Sequence, residues 1–558
     1  MKLSKLLFVP LVLSMLVACD SGASKSPNKL KYVSFNQDRF EFDTSLFYGN
    51  INVMKGADPS LIYVPYEEGN PDSGYYYSYV TGVSTINSWR TKDMTNWQYL
   101  GASFRPNLDY FWAYSNFWAP SVLFDKDEGA YYMFYSATLK TQSSSHYMSV
   151  ARSENPCGPF VELGDGNSPV FNFNNVPKGN PLYEYHDDGV YPNGYFSCID
   201  GEAFIDPVTK KKYLLFVHDK GAGYSFSDVY IMEMNSWTSP KYETITRLTE
   251  CERVQIGGNK TIDDATVNEG PFMHYHNGLY YLTYSNHAYT SPSYQVRQAI
   301  SKSPMGPFTK IDVNKGGTVI STEGISIYTA SSGHHSFIEV GDDLYIGYHT
   351  FLNDTDISES RKIKFDKVKY VVNQDGLEVM YVNGPTVNLQ PLPSKISGYE
   401  NKALTAKTYV SNINENSNKY WLNDDTIMMH EECLVKETIF NSGNSNITLL
   451  WDEYVDAKAI MVYNSREWTT AFTQIDNIVI YFKDSNGETY TCETGEIAFN
   501  FDIFSSTDFK LMHAASSSTI EFNNLSINRI DISFSKSNGP EGIVAIPEVV
   551  VLGMKGGN

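Results

Sequence analysis

Basic residues are scarce in this chain. Forty-three Lys and Arg stand against 64 Asp and Glu, a net charge of −21 over 558 residues. Proteins that neutralise phosphates need a basic footprint, so nucleic acid and other polyanions are excluded as general partners, while neutral ligands are not. Cysteine is equally sparse, with six in all. Apart from Cys19, which ends the N-terminal apolar segment, Cys157, Cys198, Cys251, Cys433 and Cys492 are widely and irregularly spaced. That is neither a disulfide framework nor a zinc site, although one pair in an oxidising compartment stays open. No long stretch keeps a helical period, and beyond residue 18 no run is apolar enough to cross a bilayer.

What the chain has is aromatic, alternating sequence. Aromatics make up 14%, and 41 residues are Tyr. A tyrosine-rich strand recurs five times, as Tyr75-Tyr-Tyr-Ser-Tyr, Tyr131-Tyr-Met-Phe-Tyr, Tyr213-Leu-Leu-Phe-Val, Tyr280-Tyr-Leu-Thr-Tyr and Tyr345-Ile-Gly-Tyr-His. Ahead of each, by 11 to 17 residues, stand Asp58, Trp118, Asp200, Glu269 and His334, with a short apolar run and a turn between. Each unit is therefore a β-hairpin. A second echo, Ser153-Glu-Asn-Pro-Cys-Gly-Pro-Phe and Ser303-Pro-Met-Gly-Pro-Phe, supports the repeat. The pattern predicts an all-β fold, a five-bladed β-propeller, in which equivalent positions of the blades face one another across an axis. A sandwich gives no reason for recurring hairpins of one composition.

Residues 1–18 form a leader: Lys2 and Lys5 precede an apolar run too short to span a membrane. Leu16-Val17-Ala18-Cys19 resembles a bacterial lipobox. The resemblance implies a lipid on Cys19, an exported lipoprotein held on a membrane (periplasmic or cell-surface), and a polar tether over 19–35; the alternative is a plain signal peptide. The propeller and its closing segment are expected over 36–395, with a Pro-rich exit at Asn388-Leu-Gln-Pro-Leu-Pro. Residues 396–558 alternate in strands such as Asn477-Ile-Val-Ile-Tyr-Phe, which predicts a β-sandwich. It resembles the discoidin or galactose-binding-like sandwich, with Leu422-Asn-Asp-Asp and Leu449-Leu-Trp-Asp as anchors.

Taken singly, the acidic residues are ordinary. Asp58 lies in an Asp-Pro turn, Asp200 precedes Gly, and Glu269 lies in a loop. Their common place ahead of an apolar inner strand aims all three at one end of one channel. Like charges and burial there push at least one pKa up, leaving a protonated acid beside an ionised base. Glycoside hydrolysis needs that pair. Beside them, Trp118 is either a sugar platform or core packing, and Phe117 and Asn116 are candidates for the pocket wall. Arg297 is a donor to a sugar hydroxyl or a surface charge. Strand alternation allows only one of His334 and His335 to face the channel. The loop made of 172–180 and 183–195 is long enough to wall the mouth and favour exo action.

Ala57-Asp-Pro-Ser-Leu, Trp118-Ala-Pro-Ser-Val, Ile199-Asp-Gly-Glu-Ala-Phe-Ile-Asp, Asn268-Glu-Gly-Pro-Phe and Gly333-His-His-Ser-Phe together resemble glycoside hydrolase family 43 over about residues 45–350. The resemblance implies an inverting mechanism with Asp58 as general base, Glu269 as general acid and Asp200 as pKa modulator. Blade three departs, with Asp-Gly where Asp-Pro is usual, and keeps its carboxylate. His334 is implied to sit under the sugar beside a central ion or water. Such an ion is calcium or sodium held through water, and no cofactor is required. The implied substrates are furanose or pentose sugars of oligosaccharides or polysaccharide side chains, α-L-arabinofuranoside first. β-Xyloside and β-galactofuranoside remain open. So does a catalytically silent sugar-binding lipoprotein, which the loss of a carboxylate would mark. A phosphorylase would need basic residues near Glu269, where His274, His276, His287 and Arg297 are the candidates.

Overall fold

The computed structural model describes residues 29–556 apart from 39, 51–53, 142, 144, 174–175, 177–179, 181, 183–196, 220–226, 252–266, 322–329, 352–360, 431–432, 500–502 and 506–509. The leader, Cys19 and most of the loop before Asp200 lie outside the described residues. From Met54 to Val382 the strands form five antiparallel sheets. Their inner strands are Ser60–Val64, Ala113–Asp125, Cys198–Ile205, Asn268–His276 and Ala330–Val340. Each inner strand touches the next, and the fifth touches the first, so the sheets close into a five-bladed propeller.

The recurring tyrosine strand is the second strand of every blade: Tyr75–Val80, Ala130–Leu139, Lys212–Asp219, Leu279–Asn286 and Asp343–Phe351. Almost every residue of these strands is buried, because neighbouring blades cover both faces. Tyrosine suits that place. The ring fills the space between blades, and the hydroxyl finds a partner at the rim. Tyr77 Oη donates to Asp72 O at 2.8 Å, and Tyr280 Oη to Asp206 Oδ1 at 2.8 Å.

The ring is closed by its own beginning. Met54–Lys55 pairs with blade five, Lys55 opposite Lys362 and Met54 opposite Ile363. The Gly56 N–H then donates to Arg361 O at 3.0 Å. This closure carries Arg361, which immediately precedes the third strand of blade five, Lys362–Val372, to the start of blade one.

Of the remaining strands, eight form one sheet whose two longest members are Ser445–Tyr463 and Ser517–Phe534, and the others pair in two-stranded ribbons. One face carries Ile447, Ile460, Ile480 and Ile530 into a core covered by two short ribbons, Thr438–Phe440 with Val544–Ile546 and Gln474–Ile475 with Ile497–Ala498. Burying each such side chain contributes about 1.5–3 kcal/mol. Alternate residues Ala459, Met461, Val550 and Leu552 face the other way and pack with Leu46, Phe47 and Tyr381 at the seam with the propeller. Of the two anchors read from sequence, Trp451 Nε1 donates to Lys402 O at 2.8 Å and Asn423 Nδ2 to Ala403 O at 2.7 Å.

One expectation needs correction. Residues 29–35 are not all tether: Lys29–Leu30 pairs in parallel with Tyr490–Thr491 of the C-terminal sheet, and Val33 and Phe35 pack against its core. Val33 and Phe35, half-buried, are the apolar residues which that edge covers, whereas Leu30 stays exposed. The five described cysteines are free thiols. No described helix is long and apolar enough to cross a membrane.

Candidate active site

All five inner strands are bent at the same point. Asp58, Ala119, Asp200, Gly270 and His334 have φ of 54°, 46°, 57°, 53° and 44°. Left-handed backbone is uncommon for any residue with a Cβ, and four of these five have one. In blades two to five the bend coincides with a shift in strand register, a bulge that re-aims side chains. At Gly270 the bend leaves no room: an added Cβ would stand 3.0 Å from the His334 ring.

These bends reset the alignment of the repeat. Asp58, Asp200 and His334 occupy the bend itself. Trp118 and Glu269 stand one residue before it, alongside Ala57, Ile199 and Gly333. The repeat therefore does not place Asp58, Trp118, Asp200, Glu269 and His334 at one equivalent position, as their spacing suggests. Spacing alone cannot register a one-residue offset between loops of different length. Nevertheless the three carboxylates meet. Asp200 Oδ2 accepts the Gly270 N–H at 2.9 Å, which fastens the backbone beside Glu269, and Asp58 and Asp200 raise the pKa of Glu269 through their charge.

Asp58 is buried among cations and donors. Its Oδ1 lies 2.9 Å from Arg361 Nη1, 3.1 Å from His349 Nδ1 and 3.4 Å from His334 Nδ1. Its Oδ2 accepts the Thr81 hydroxyl at 2.5 Å. Burial alone would raise the Asp58 pKa, but Arg361 and the two histidines outweigh it and hold the carboxyl well below the usual range. Glu269 goes the other way. Burial, then the charge of Asp200, push it up, against an opposing hydrogen bond from Tyr294 Oη to Oε1 at 2.7 Å. Asp200 is raised too, first by burial and then by Asp58. His349 is depressed to about 3 by burial and Arg361, so its ring is neutral.

Arg361, His349, Tyr294 and Thr81 were not candidates on sequence. The signal for Arg361 is the ring closure, which pairs strands more than 300 residues apart. Thr81 directly follows the second strand of blade one, and its Oγ1 also accepts the Ala119 N–H at 2.8 Å, tying blade one to blade two.

The other candidates separate. Trp118 is half-buried, at the place in blade two that Glu269 holds in blade four, and stacks on His146 with ring centroids 4.2 Å apart. Asn116 is half-buried at φ 59°, and its side chain donates to Thr138 Oγ1 at 3.1 Å. Two expectations fail. Phe117 does not line the pocket but is fully buried with Phe104, Phe111 and Tyr135. Arg297 is neither a sugar donor nor a surface charge. It is buried in the third strand of blade four, with Nε donating to Gly317 O at 3.2 Å and Nη2 to Ile311 O at 3.3 Å. His274 and His276 lie along the inner strand of blade four beside Tyr370.

Below the mouth the axis holds a cavity of about 20 Å³, lined by Ser60, Ser121, Glu202, His335 and Ser336 among others. Both His334 and His335 border it, because the bulge at this point breaks the strand alternation that would send them apart. His335 Nε2 meets Thr283 Oγ1 at 2.6 Å, whereas His335 Nδ1 and Ser336 Oγ are buried without a hydrogen-bond partner. Burial pushes Glu202 up to about 8 despite the Ser121 hydroxyl. Among the described residues no three His, Cys, Asp or Glu are grouped to hold a metal directly. The orphaned ring nitrogen and the carboxyl fit water or a hydrated cation better than a directly ligated one. His335, Glu202 and His334 border that space, with His334 Nδ1 turned 3.4 Å from Asp58 Oδ1.

The family model for glycosyl hydrolases family 43 matches residues 53–376. An arabinoxylan arabinofuranohydrolase of Bacillus subtilis (strain 168) is 24% identical over 242 residues, 42% of this chain and 40% of that protein. A beta-xylosidase of Xylanibacter ruminicola is 25% identical over 264 residues, 45% of this chain and 73% of that protein. The chain thus spans well under two thirds of the first relative's length. A solved thermostable family-43 glycoside hydrolase is 25% identical, covering 62% of this chain and 99% of its own, with a TM-score of 0.48.

Proposed function

The chain belongs to glycosyl hydrolases family 43, and on that premise we propose that it is an inverting, exo-acting glycosidase of furanose or pentose sugars, with α-L-arabinofuranosides as first substrates. The observation that carries this reading is the opposite electrostatics of two carboxyls in one mouth. Arg361 keeps Asp58 ionised, and burial keeps the proton on Glu269. In the proposed reaction Asp58 takes a proton from water as the water attacks the anomeric carbon. Glu269 gives its proton to the departing glycosidic oxygen, and the configuration inverts. Asp200 does not touch the sugar. It holds the backbone at Gly270 and helps keep Glu269 protonated.

The choice of arabinofuranoside leans on the arabinofuranohydrolase relative, and β-xyloside is the second reading because of the beta-xylosidase relative. Trp118, flat on His146, is proposed as the platform under a sugar ring. A calcium or sodium ion on the axis would be held through water by His335 and Glu202 and would add positive charge beneath the carboxyls. The C-terminal sheet with its ribbons is proposed to be a galactose-binding-like sandwich that buttresses the propeller, which its apolar seam supports. Export as a lipoprotein lipidated on Cys19 completes the proposal. Cys19→Ala should release the protein from membranes, and unchanged membrane attachment would refute the anchor.

The test of the activity is a panel of nitrophenyl furanosides and pyranosides, followed by proton NMR of the first-formed anomer. The expected result is arabinofuranoside turnover with inversion. Retention of configuration, a requirement for added phosphate, or no turnover on any member would overturn the reading.

A further inference from the structure

A cavity far larger than the axial one lies away from the mouth. About 370 Å³ lies at the seam between blade five and the C-terminal sheet, walled by Tyr345 and Lys367 on one side and Leu552 and Glu548 on the other. We propose that this seam cavity is a second saccharide site, taking a neutral mono- or disaccharide, separate from the catalytic mouth. The proposal does not depend on the activity proposed above.

Its volume falls at the lower end of small-ligand sites, which favour domain junctions. Seams between apolar faces normally close. This one is held open by charged groups that are already paired with each other. Lys367 and Lys369 both reach Asp425 Oδ2 at 2.8 Å, and Lys367 reaches Asp343 Oδ1 at 3.0 Å. Lys402 pairs with Glu400, and Lys555 with Asp342 at 2.8 Å, so the four ammonium groups and four of the carboxylates on the wall cancel. Glu548, 1% exposed, accepts the backbone N–H groups of Asp424 and Asp425 at 3.1 Å each. Burial and the neighbouring aspartates raise its pKa well above the carboxylic range, so it adds no charge.

A wall with no net charge has nothing to balance an ionic ligand, which would carry an uncompensated charge into a half-buried space. Yet the wall is rich in groups with bonding capacity to spare. An ammonium carries three donors and a carboxylate accepts about four bonds, more than these pairs use. Closely spaced donors and acceptors of both kinds suit vicinal hydroxyls, each of which donates and accepts. The apolar floor, Ile427, Val550 and Leu552, suits the C–H face of a sugar ring. Leu404, 45% exposed, stands at the rim and offers a way to fill the cavity without disturbing its buried pairs.

The experiment is calorimetric titration of the full chain carrying Glu269→Gln, so that disaccharides are not consumed. Probes are arabinose, xylose, galactose, arabinobiose, xylobiose and, for charge, glucuronate. Leu404→Trp should weaken one binding event at least about tenfold while leaving any event at the mouth intact. In the chain with its native Glu269, the same change should leave kcat/KM on nitrophenyl glycosides unaltered. Lys369→Met, which unbalances the wall, should weaken the same event and provides a second check should Leu404→Trp lower the Tm. Identical titrations before and after both changes, no event beyond the mouth, or tighter binding of glucuronate than of the neutral sugars would overturn the proposal. Because the readout is heat of binding, a hydrolase reading that fails leaves this result standing, and the reverse.

Discussion

At the centre of the propeller, Asp58, Asp200, Glu269, His334 and His335, at or beside left-handed bends, and His349 on the second strand of blade five are gathered in and just below one mouth. At the centre of the C-terminal sheet, Ile447, Ile460, Ile480, Ile530 and Ile532 interdigitate from two long strands and their neighbours. Both regions are antiparallel sheet, but they spend their burial differently. The sheet removes apolar surface from water, which stabilises. The mouth removes charge from water, which costs stability unless each charge is paired. It tolerates that cost where Arg361 offsets Asp58, and meets it at Glu269 by keeping a proton. Departures from local rules concentrate where chemistry is done.

The sharpest way to break the comparison is to neutralise the mouth. Asp58→Asn and Glu269→Gln should each reduce hydrolysis of an unactivated glycoside roughly a thousandfold without lowering the Tm. A substrate with a strongly activated leaving group should recover much of the loss in Glu269→Gln, where the missing step is proton donation. It should not do so in Asp58→Asn, where water still lacks its base. Equal rescue of both would mean that the two carboxyls have not been assigned their proper roles.

A mutation in the other region should do the reverse. Ile480 is fully buried, so Ile480→Ala should cost about 2–5 kcal/mol in unfolding free energy. At a temperature where the protein stays folded, kcat/KM should be unchanged. Loss of activity in step with stability would show that the sheet and the mouth are not separable in the way their cores suggest.

Arg361→Met tests the pairing that makes a buried base tolerable. Asp58 must be ionised to act, and Arg361 holds its pKa down. Without the guanidinium that pKa rises, so the acidic limb of the kcat/KM profile should move to higher pH. A fall of about tenfold at neutral pH should accompany it. An acidic limb that stays in place would disconnect Arg361 from the base.

How much of this was legible in sequence follows from the same contrast. The tyrosine strands announced five blades because blades bury both faces of that strand, and composition records burial directly. Asp58, Asp200 and Glu269 were legible because each is bound to a short motif at the head of a strand. Arg361 and His349 were not. Their roles come from ring closure and from pairing in the fifth blade, distances in space that leave no local pattern. Phe117 and Arg297 were misplaced for a related reason. Being next to Trp118, or on an alternating strand, does not say which face a bulged or covered strand presents. Lys29–Leu30 was read as tether because a two-residue edge strand has too little sequence to carry an alternation.

The smallest expected effect separates two neighbours of Glu269 that act on its proton in opposite senses. Tyr294 Oη donates to Oε1 and so favours the ionised form; Asp200 disfavours it through charge. Glu269 acts as an acid only while protonated, so the alkaline limb of the profile follows its pKa. Tyr294→Phe removes the donor, raises that pKa and should move the alkaline limb up by a fraction of a pH unit to about one. Asp200→Asn removes the charge, lowers the pKa and should move the limb down. A bystander that only packs against the mouth would shift neither limb in a sign-specific way. Two shifts in the same direction would show that the Tyr294 hydrogen bond and the Asp200 charge do not act on the Glu269 proton in the opposite senses assigned to them.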